Sequence, residues 1–150
     1  MLEKFVMSPA GLALDRHLVR WTGFSLTTTV FNRAHGIRPG PVLYLETTGR
    51  KSGKTRGVTL PYYTLDDKIM VVGSRGGAPQ DPYWALNLRE TPRAKVYIKR
   101  KPQWVSARFT EGDERARYWG PLKERIPAYV EYEKRTTREI PVIVLEPDSD

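Results

Sequence analysis

Residues 42–65 read VLYLETTGRKSGKTRGVTLPYYTL, in which two stretches rich in β-branched and aromatic residues flank a short basic loop. Such stretches are typical of β-strands, and the glycines between them suit a tight turn. The segment therefore predicts a hairpin with a basic tip. The cations of the tip are Arg50, Lys51, Lys54 and Arg56, and no acid occurs from Thr47 to Leu65. A tip of this composition is suited to binding a phosphate or a carboxylate group.

The basic tip does not match a nucleotide-binding P-loop. That loop requires four residues between its two glycines, whereas Gly49 and Gly53 are separated by three. A P-loop also opens a helix whose N-terminus supplies amide groups, but Gly57–Thr64 is predicted to be a strand. ATP and GTP are therefore excluded as the anion that this tip binds.

The composition of the chain narrows the class of protein to which it can belong. A length of 150 residues suits one domain with a sizeable core, and the net charge of +8 predicts an anionic partner. The absence of Cys excludes disulfides and favours a cytoplasmic protein. His17 and His35 cannot build a zinc site without help from carboxylates, and no metal is predicted. The uncharged run 21–32 is too short to cross a membrane, and no secretory signal is expected.

The hydrophobic pattern predicts a mainly β, α+β fold. Strands are predicted over Val42–Thr47, Arg56–Leu65, Ile69–Ser74, Lys95–Lys101, Gln103–Phe109 and Ile140–Leu145. Helices are predicted over Leu12–Arg33, Pro82–Glu90 and residues 110–135, with breaks at Pro121 and Pro127. Because most strands follow one another as hairpins, a small antiparallel barrel with flanking helices fits better than a doubly wound sheet. We expect one domain, with an N-terminal helical segment over 1–40 and the barrel over 41–150.

Particular residues are predicted to start helices and to form turns. Asp81 is the expected N-cap of the second helix, with Pro82 at its first position. Thr110 and Asp113 resemble a capping box at the start of the third helix. The expected hairpin turns are Asp66-Asp67 and a turn around Pro102.

Several segments together resemble the deazaflavin-dependent nitroreductase family, in the family's own order, over about residues 41–147. These segments are Thr47–Gly53, Ser74–Gly77, Pro82–Leu88, Pro127–Thr136 and Arg138–Val142. The resemblance implies a split β-barrel, of the type that also binds flavin mononucleotide, with coenzyme F-420 as cofactor. It also implies hydride transfer from the reduced deazaflavin to a quinone, an enone or a nitroaromatic compound.

The resemblance further implies roles for individual residues. The phosphate and carboxylates of the cofactor would be held by Arg50, Lys51, Ser52 and Arg56. The rest of the cofactor would contact Gly73, Arg75, Gly76, Gly77, Tyr83, Trp84 and Asn87. The catalytic residues would be Ser74, Tyr129 and Tyr132. The acceptor would contact Tyr62, Ile126, Tyr129 and Tyr132. Ile126 stands where the family's nitroreductase has a further Tyr, which favours a bulkier apolar acceptor.

Alternative functions remain open from the residues alone. One is a non-catalytic, cofactor- or anion-binding protein on the same barrel. Another is single-strand nucleic-acid binding by Tyr97–Lys101 with Trp104. A cationic edge strand also explains these residues, and because the chain has no recognised nucleic-acid-binding signature, no nucleic acid is predicted. The N-terminal segment, with Arg16, Arg20 and Arg33, would lie on the barrel, against a homodimer partner, or on the inner face of the cell membrane.

Overall fold

The computed structural model describes residues 8–22 and 40–148, and within these residues seven antiparallel strands form one sheet. The strands are β1 Val42–Thr48, β2 Thr55–Pro61, β3 Tyr63–Leu65, β4 Lys68–Val72, β5 Arg93–Ile98, β6 Lys101–Phe109 and β7 Val142–Pro147. Their order across the sheet is β2-β1-β5-β6-β7-β4-β3, and every neighbouring pair is antiparallel. The predicted antiparallel, mainly β fold is therefore confirmed.

The sheet curls because of one connecting residue. Strands β2 and β3 lie at opposite edges of the sheet, yet only Tyr62 separates Pro61 from Tyr63. In a flat sheet six strand spacings would hold the edges about 29 Å apart. One connecting residue spans about 7 Å at most. The sheet therefore bends round until its two edge strands approach each other, and the predicted strand Arg56–Leu65 is divided at Tyr62.

Side chains on the inner face of this curl form the first hydrophobic core. Buried residues from β1, β2 and β4–β7, among them Leu43, Val96 and Ile143, belong to one cluster. Helix α2 (Tyr83–Glu90) adds Ala85 and Leu88 to it. Residues from so many strands meet only on a concave face, and α2 packs against that face.

A second core lies on the opposite face of β4 and β7. Met70, Val142 and Val144 alternate along these strands with residues of the first core. They pack against helices α3 (Gly112–Arg125) and α4 (Ala128–Arg135). Strands β4 and β7 are thus covered on both faces.

The N-terminal helix packs on the outside of the sheet. Helix α1 (Pro9–Thr22) contacts β1, β2 and β5, and Val19 is fully buried there. Arg20 pairs with Glu46 at 3.9 Å and lies 4.9 Å from the ring centre of Tyr97. Residues 23–33 of the predicted helix, and His35, lie outside the described residues. No helix of the described segments combines the length and the hydrophobicity that a membrane-spanning helix needs.

The turn between β5 and β6 lies two to three residues earlier than predicted. Lys99 (φ 49°) and Arg100 (φ 70°) form it, whereas Pro102 pairs with Tyr97 inside β6. The pair that flanks a two-residue turn is hydrogen-bonded and the next pair is not, so the nitrogen of Pro102 points away from β5. On the other side of β6, strand β7 pairs with residues from Val105 onward and does not reach Pro102. The missing N–H of this proline therefore costs no hydrogen bond.

Both predicted helix caps are wrong. The carboxylate of Asp81 makes ion pairs with Arg138 (2.7 Å) and Arg89 (3.6 Å), and the residue before α2 is Pro82. The hydroxyl of Thr110 donates to the carbonyl of Val142 (2.8 Å). These residues use their side chains for contacts between elements that are distant in sequence. Such contacts replace the local cap.

Of the two predicted breaks in the third helix, only the second is present. Helix α3 continues through Pro121, which is exposed, so the carbonyl that loses its donor faces water. The chain leaves the helix at Ile126, and Pro127 precedes α4. The predicted Asp66-Asp67 turn is confirmed, with both residues at positive φ.

The β5–β6 turn provides a test of this backbone geometry. Both turn residues occupy the left-handed region that Asn and Gly tolerate best. Replacing Lys99 by Asn and Arg100 by Gly should therefore raise the free energy of unfolding by about 1 kcal/mol in urea denaturation. Lys101→Gly, which alters an extended strand residue, should instead lower it. A loss of stability in the turn variant would contradict the assigned turn.

Candidate functional site

A cleft of about 590 Å³ lies between the β1–β2 tip, the segment after β4 and the start of α2. Its lining residues are Thr47, Gly49, Arg50, Lys51, Ser52, Arg56, Gly57, Val58, Arg75, Pro82, Tyr83, Trp84 and Asn87. Four of these residues are cations and none is an acid. The lining thus combines a positive side with an apolar and aromatic side.

The β1–β2 tip is held to α2 by one buried amide. Asn87 is 4% exposed, and its Nδ2 donates to the hydroxyl of Thr47 at 3.0 Å. Its Oδ1 accepts from the backbone nitrogen of Arg50 (3.2 Å) and from Nη1 of the same residue (3.3 Å). Asn87 therefore fixes both the backbone and the guanidinium of the first cation of the tip. Its predicted contact with the cofactor stays a prediction.

Two arginines from different segments converge on one aromatic ring. The guanidinium carbons of Arg50 and Arg75 lie 5.4 Å and 5.6 Å from the ring centre of Tyr83. Tyr83 is 65% exposed, which is unusual for a side chain of its size. The fold therefore brings together residues 50, 75 and 83, which the sequence separates.

The cations of the cleft have no acidic partners in the described part of the chain. Ion pairs involve many other arginines there, but none involves Arg50, Lys51, Arg56 or Arg75. Unpaired, clustered guanidiniums are suited to gripping phosphate and carboxylate groups. The opposite side, with Val58, Pro82 and Trp84, offers apolar surface for a planar group. The lining thus suits an elongated ligand with an anionic end and an aromatic end.

The predicted cofactor residues are distributed unevenly around the cleft. It is lined by Arg50, Lys51, Ser52, Arg56, Arg75, Tyr83, Trp84 and Asn87, but not by Gly73, Gly76 or Gly77. Trp84 also packs against the first core. Its predicted cofactor role and its role in packing are therefore compatible.

Two of the three glycines are explained by contacts within the chain. A Cβ on Gly77 would lie 2.6 Å from the carbonyl oxygen of Tyr132, and one on Gly73 would lie 2.7 Å from Cγ of Pro141. Of these three glycines, only Gly76 has no atom within 4 Å of the position that a Cβ would take. Gly77 therefore allows α4 to approach the segment after β4. A direct contact of these glycines with the cofactor stays a prediction.

An aromatic cluster lies in the second core, next to α4. Tyr129 is 5% exposed and its hydroxyl is 2.7 Å from that of Tyr63. Its ring lies 5.5 Å from Trp119 and 6.2 Å from Tyr132. The indole of Trp119 donates to Glu133, which fixes α4 to α3. Ile126 packs against the same cluster.

Tyr63, and not Tyr62, lies beside Tyr129. Tyr62, in the connection between β2 and β3, packs against the first core, whereas Tyr63, the first residue of β3, packs against the second. The structure therefore brings Ile126, Tyr129 and Tyr132 together and separates Tyr62 from them. Sequence reasoning missed Tyr63. The chain offered one signal for it, the adjacent tyrosine pair, and a shift of one residue exchanges the two faces.

The hydroxyl groups of the proposed catalytic residues have different surroundings. Neither Ser74 Oγ nor the Tyr132 hydroxyl has a hydrogen-bond partner among residues 8–22 and 40–148. The hydroxyl of Tyr129, in contrast, is paired and buried. Burial raises the pKa of the Tyr129 phenol far above its ordinary value, and the neighbouring phenol of Tyr63 adds to the rise. Burial likewise raises the pKa of Tyr63.

The tyrosine pair should make stability fall at high pH. Above about pH 10 the unfolded chain releases phenol protons that the folded chain keeps, so the free energy of unfolding decreases as pH rises. Tyr129→Phe removes one such proton. Its unfolding free energy should fall less steeply than that of the wild type, by up to about 1.4 kcal/mol per pH unit. Urea denaturation at intervals from about pH 9 to 11 measures the two slopes; parallel slopes would contradict the buried pair.

Comparisons with known proteins agree with this fold. An F420H(2)-dependent quinone reductase of Mycobacterium tuberculosis is 35% identical over 108 residues, which cover 70% of this chain and 72% of the relative. A solved structure of an F420-H2 dependent reductase (FDR-A) is 38% identical, with a TM-score of 0.63, and the match covers 71% of this chain and 94% of that one. The predicted split-barrel fold is therefore confirmed.

Two further comparisons extend over more of the chain. A solved structure described as a domain-swapped dimer is 33% identical, with a TM-score of 0.64, over 81% of this chain and the whole of the other. The family model named F420H(2)-dependent quinone reductase matches residues 20–147. The chain therefore belongs to the F420H(2)-dependent quinone reductase family, and is a deazaflavin-dependent oxidoreductase.

Proposed function

We propose that the cleft holds the anionic tail of reduced coenzyme F-420 and that the hydride acceptor is a quinone. The observation that carries the proposal is the convergence of Arg50 and Arg75 on the exposed ring of Tyr83, in a cleft that no acid among the described residues lines. A cofactor with a phosphate and several carboxylates offers several anionic groups to such a cluster. Lys51 and Arg56 add further positive charge along the same wall.

The lining supports an orientation for the cofactor. The tail would lie along the β1–β2 tip, where the backbone is fixed by Asn87 and Ser52 Oγ accepts from the nitrogen of Lys54 (3.2 Å). The aromatic end would face Trp84 and the segment that begins at Gly73. A rigid tip matters because side chains that are already ordered lose less conformational entropy on binding.

The acceptor would lie between Ser74 and α4. When bound, the reduced cofactor supplies a hydride, and the quinone takes up this hydride and a proton to become a hydroquinone. The chain's contribution is to donate hydrogen bonds to the quinone oxygens as negative charge develops there. Ser74 and Tyr132 are the donors whose hydroxyls are unpaired in the described residues. Tyr129, whose hydroxyl is paired with that of Tyr63, would support the ring of Tyr132 from the core side. Ile126 would add apolar surface to the acceptor site.

Replacing one arginine at a time tests the cofactor site. Arg50→Gln and Arg75→Gln should each weaken binding of oxidised coenzyme F-420 about tenfold, the loss of roughly one charge-assisted hydrogen bond. Fluorescence titration at low salt measures the dissociation constants. The wild-type constant should also rise as salt is added, because the contacts are ionic.

Arg100→Gln is the matched control for these variants. It removes the same charge from the exposed β5–β6 turn, which does not line the cleft. It should leave the dissociation constant within about twofold of the wild type, since distant exposed charges are screened. Equal losses in all three variants, or no binding by the wild type, would contradict the proposed site. Consumption of reduced cofactor with menadione distinguishes a reductase from a protein that only carries the cofactor.

A contact with an anionic membrane surface is a separate proposal, supported by the exposed face of α1. Leu14 is 46% exposed on this helix, and Arg16 and His17 are exposed beside it. Leu14→Glu should therefore reduce co-sedimentation with vesicles that contain an anionic phospholipid, because it removes apolar contact and adds repulsion. Vesicles without anionic lipid are the control. Equal sedimentation of the wild type and of Leu14→Glu would contradict this proposal.

A homodimer also belongs to the proposed function. A relative that is 33% identical forms a domain-swapped dimer. In this chain β2 and β3 are the edge strands of the described sheet. Edge strands offer unpaired backbone groups to a second copy.

A further inference from the structure

One arginine between α4 and β7 contacts three backbone carbonyls of the segment after β4. Arg138 donates to the carbonyls of Ser74 (2.8 Å), Ala78 (2.8 Å) and Gly73 (3.2 Å). Its Nη1 also lies 2.7 Å from Asp81 Oδ1, and both side chains of this ion pair are mostly buried. All three nitrogens of the guanidinium are used, in the planar arrangement that only Arg provides.

The segment that Arg138 holds has a strained backbone. Arg75 has φ 45°, followed by Gly76 (63°) and Gly77 (81°), so three successive residues are left-handed. An arginine in this region costs of order 1 kcal/mol or more, and such a conformation persists only when its surroundings fix it. The segment's own bonds, from Gly77 N to Ser74 O and from Ala78 N to Arg75 O, are those of one short turn.

Arg138 also connects the two segments that carry Arg75 and Tyr83, which face each other across the cleft. Through Ser74 O and Ala78 O it holds the segment that carries Arg75, and through Asp81 it holds the residue just before α2, which begins with Tyr83. The only other side chain in the described residues that bonds to this segment is Arg135. Its contact with Gly76 O is long (3.4 Å) and exposed.

We propose that Arg138 is a positioning residue, which sets the cofactor affinity of the cleft by holding Arg75 over Tyr83. This inference rests on the proposed function, because it assumes that the cleft binds the cofactor. Arg138 does not line the cleft itself. Its effect on binding therefore passes through the segment that carries Arg75.

A double-mutant cycle tests this path. Arg138→Gln should weaken binding of oxidised coenzyme F-420 about tenfold, comparable with the direct loss of Arg75. In an Arg75→Gln background the same change should have an effect of less than about twofold, because the residue it positions is already absent. Arg138→Lys keeps the ion pair with Asp81 but cannot reach three carbonyls, so its loss should be intermediate.

Arg115→Gln is the matched control. Arg115 is as buried as Arg138, at 14% exposure of the side chain, and it bonds to the carbonyl of Ile140 at 2.7 Å on the same connector. It makes no hydrogen bond to the segment after β4 among the described residues. Its removal should destabilise the fold in a similar way but leave the dissociation constant within about twofold of the wild type.

The outcomes separate the two proposals. If the wild type does not bind the cofactor, the proposed function fails. If the wild type binds and Arg138→Gln binds equally well, only the positioning role fails. An equal loss from Arg138→Gln in both backgrounds, or the same loss from Arg115→Gln, would show a general structural effect and would overturn the inference. If Arg138→Gln does not fold, Arg138→Lys is measured in both backgrounds, with the same criterion of a smaller loss when Arg75 is absent.

Discussion

The structure depends on one steric constraint: a single residue, Tyr62, connects the two edges of a seven-stranded sheet. This connection curls the sheet, and the curl creates a concave face that six strands fill with apolar side chains. Helix α2 packs against that core through Ala85 and Leu88. The start of α2 therefore lies next to the β1–β2 tip. The cleft exists because the β1–β2 tip, the segment after β4 and the start of α2 meet at one place.

The charges of the lining distinguish this cleft from the rest of the described surface. Cations that lack acidic partners repel one another, and folding alone gives no reason to gather them. Arg50, Lys51, Arg56 and Arg75 are gathered nonetheless, while acids pair with arginines elsewhere on the surface. A ligand with several negative groups would relieve this repulsion. The left-handed backbone at Arg75 also costs free energy, as the repulsion between the cations does. Contacts from the α4–β7 connector offset this cost.

Two adjacent tyrosines, one at the β2–β3 connection and one at the start of β3, lie in different environments. Tyr62 packs towards the inner core, whereas Tyr63 meets Tyr129 in the core under α3 and α4. The phenol of Tyr129 is buried and that of Tyr63 is half-buried, while the hydroxyls of Ser74 and Tyr132 have no hydrogen-bond partner among the described residues. The packed rings of Tyr129 and Trp119 thus lie next to Tyr132, one of the donors that would face the acceptor.

The sequence by itself determined the strands, the basic tip and the family, because alternation, glycine positions and motif order are local properties that one chain displays. It also indicated most of the cleft, since eight predicted cofactor residues line it. The tertiary structure decided what depends on partners distant in sequence. Asp81 and Thr110 look like caps but bond to Arg138 and Val142, and the order of two tyrosines gains meaning only when each face has a neighbour. Arg138 meets its three carbonyl partners only in the folded chain. No pattern in a sequence shows which backbone groups a long side chain will reach.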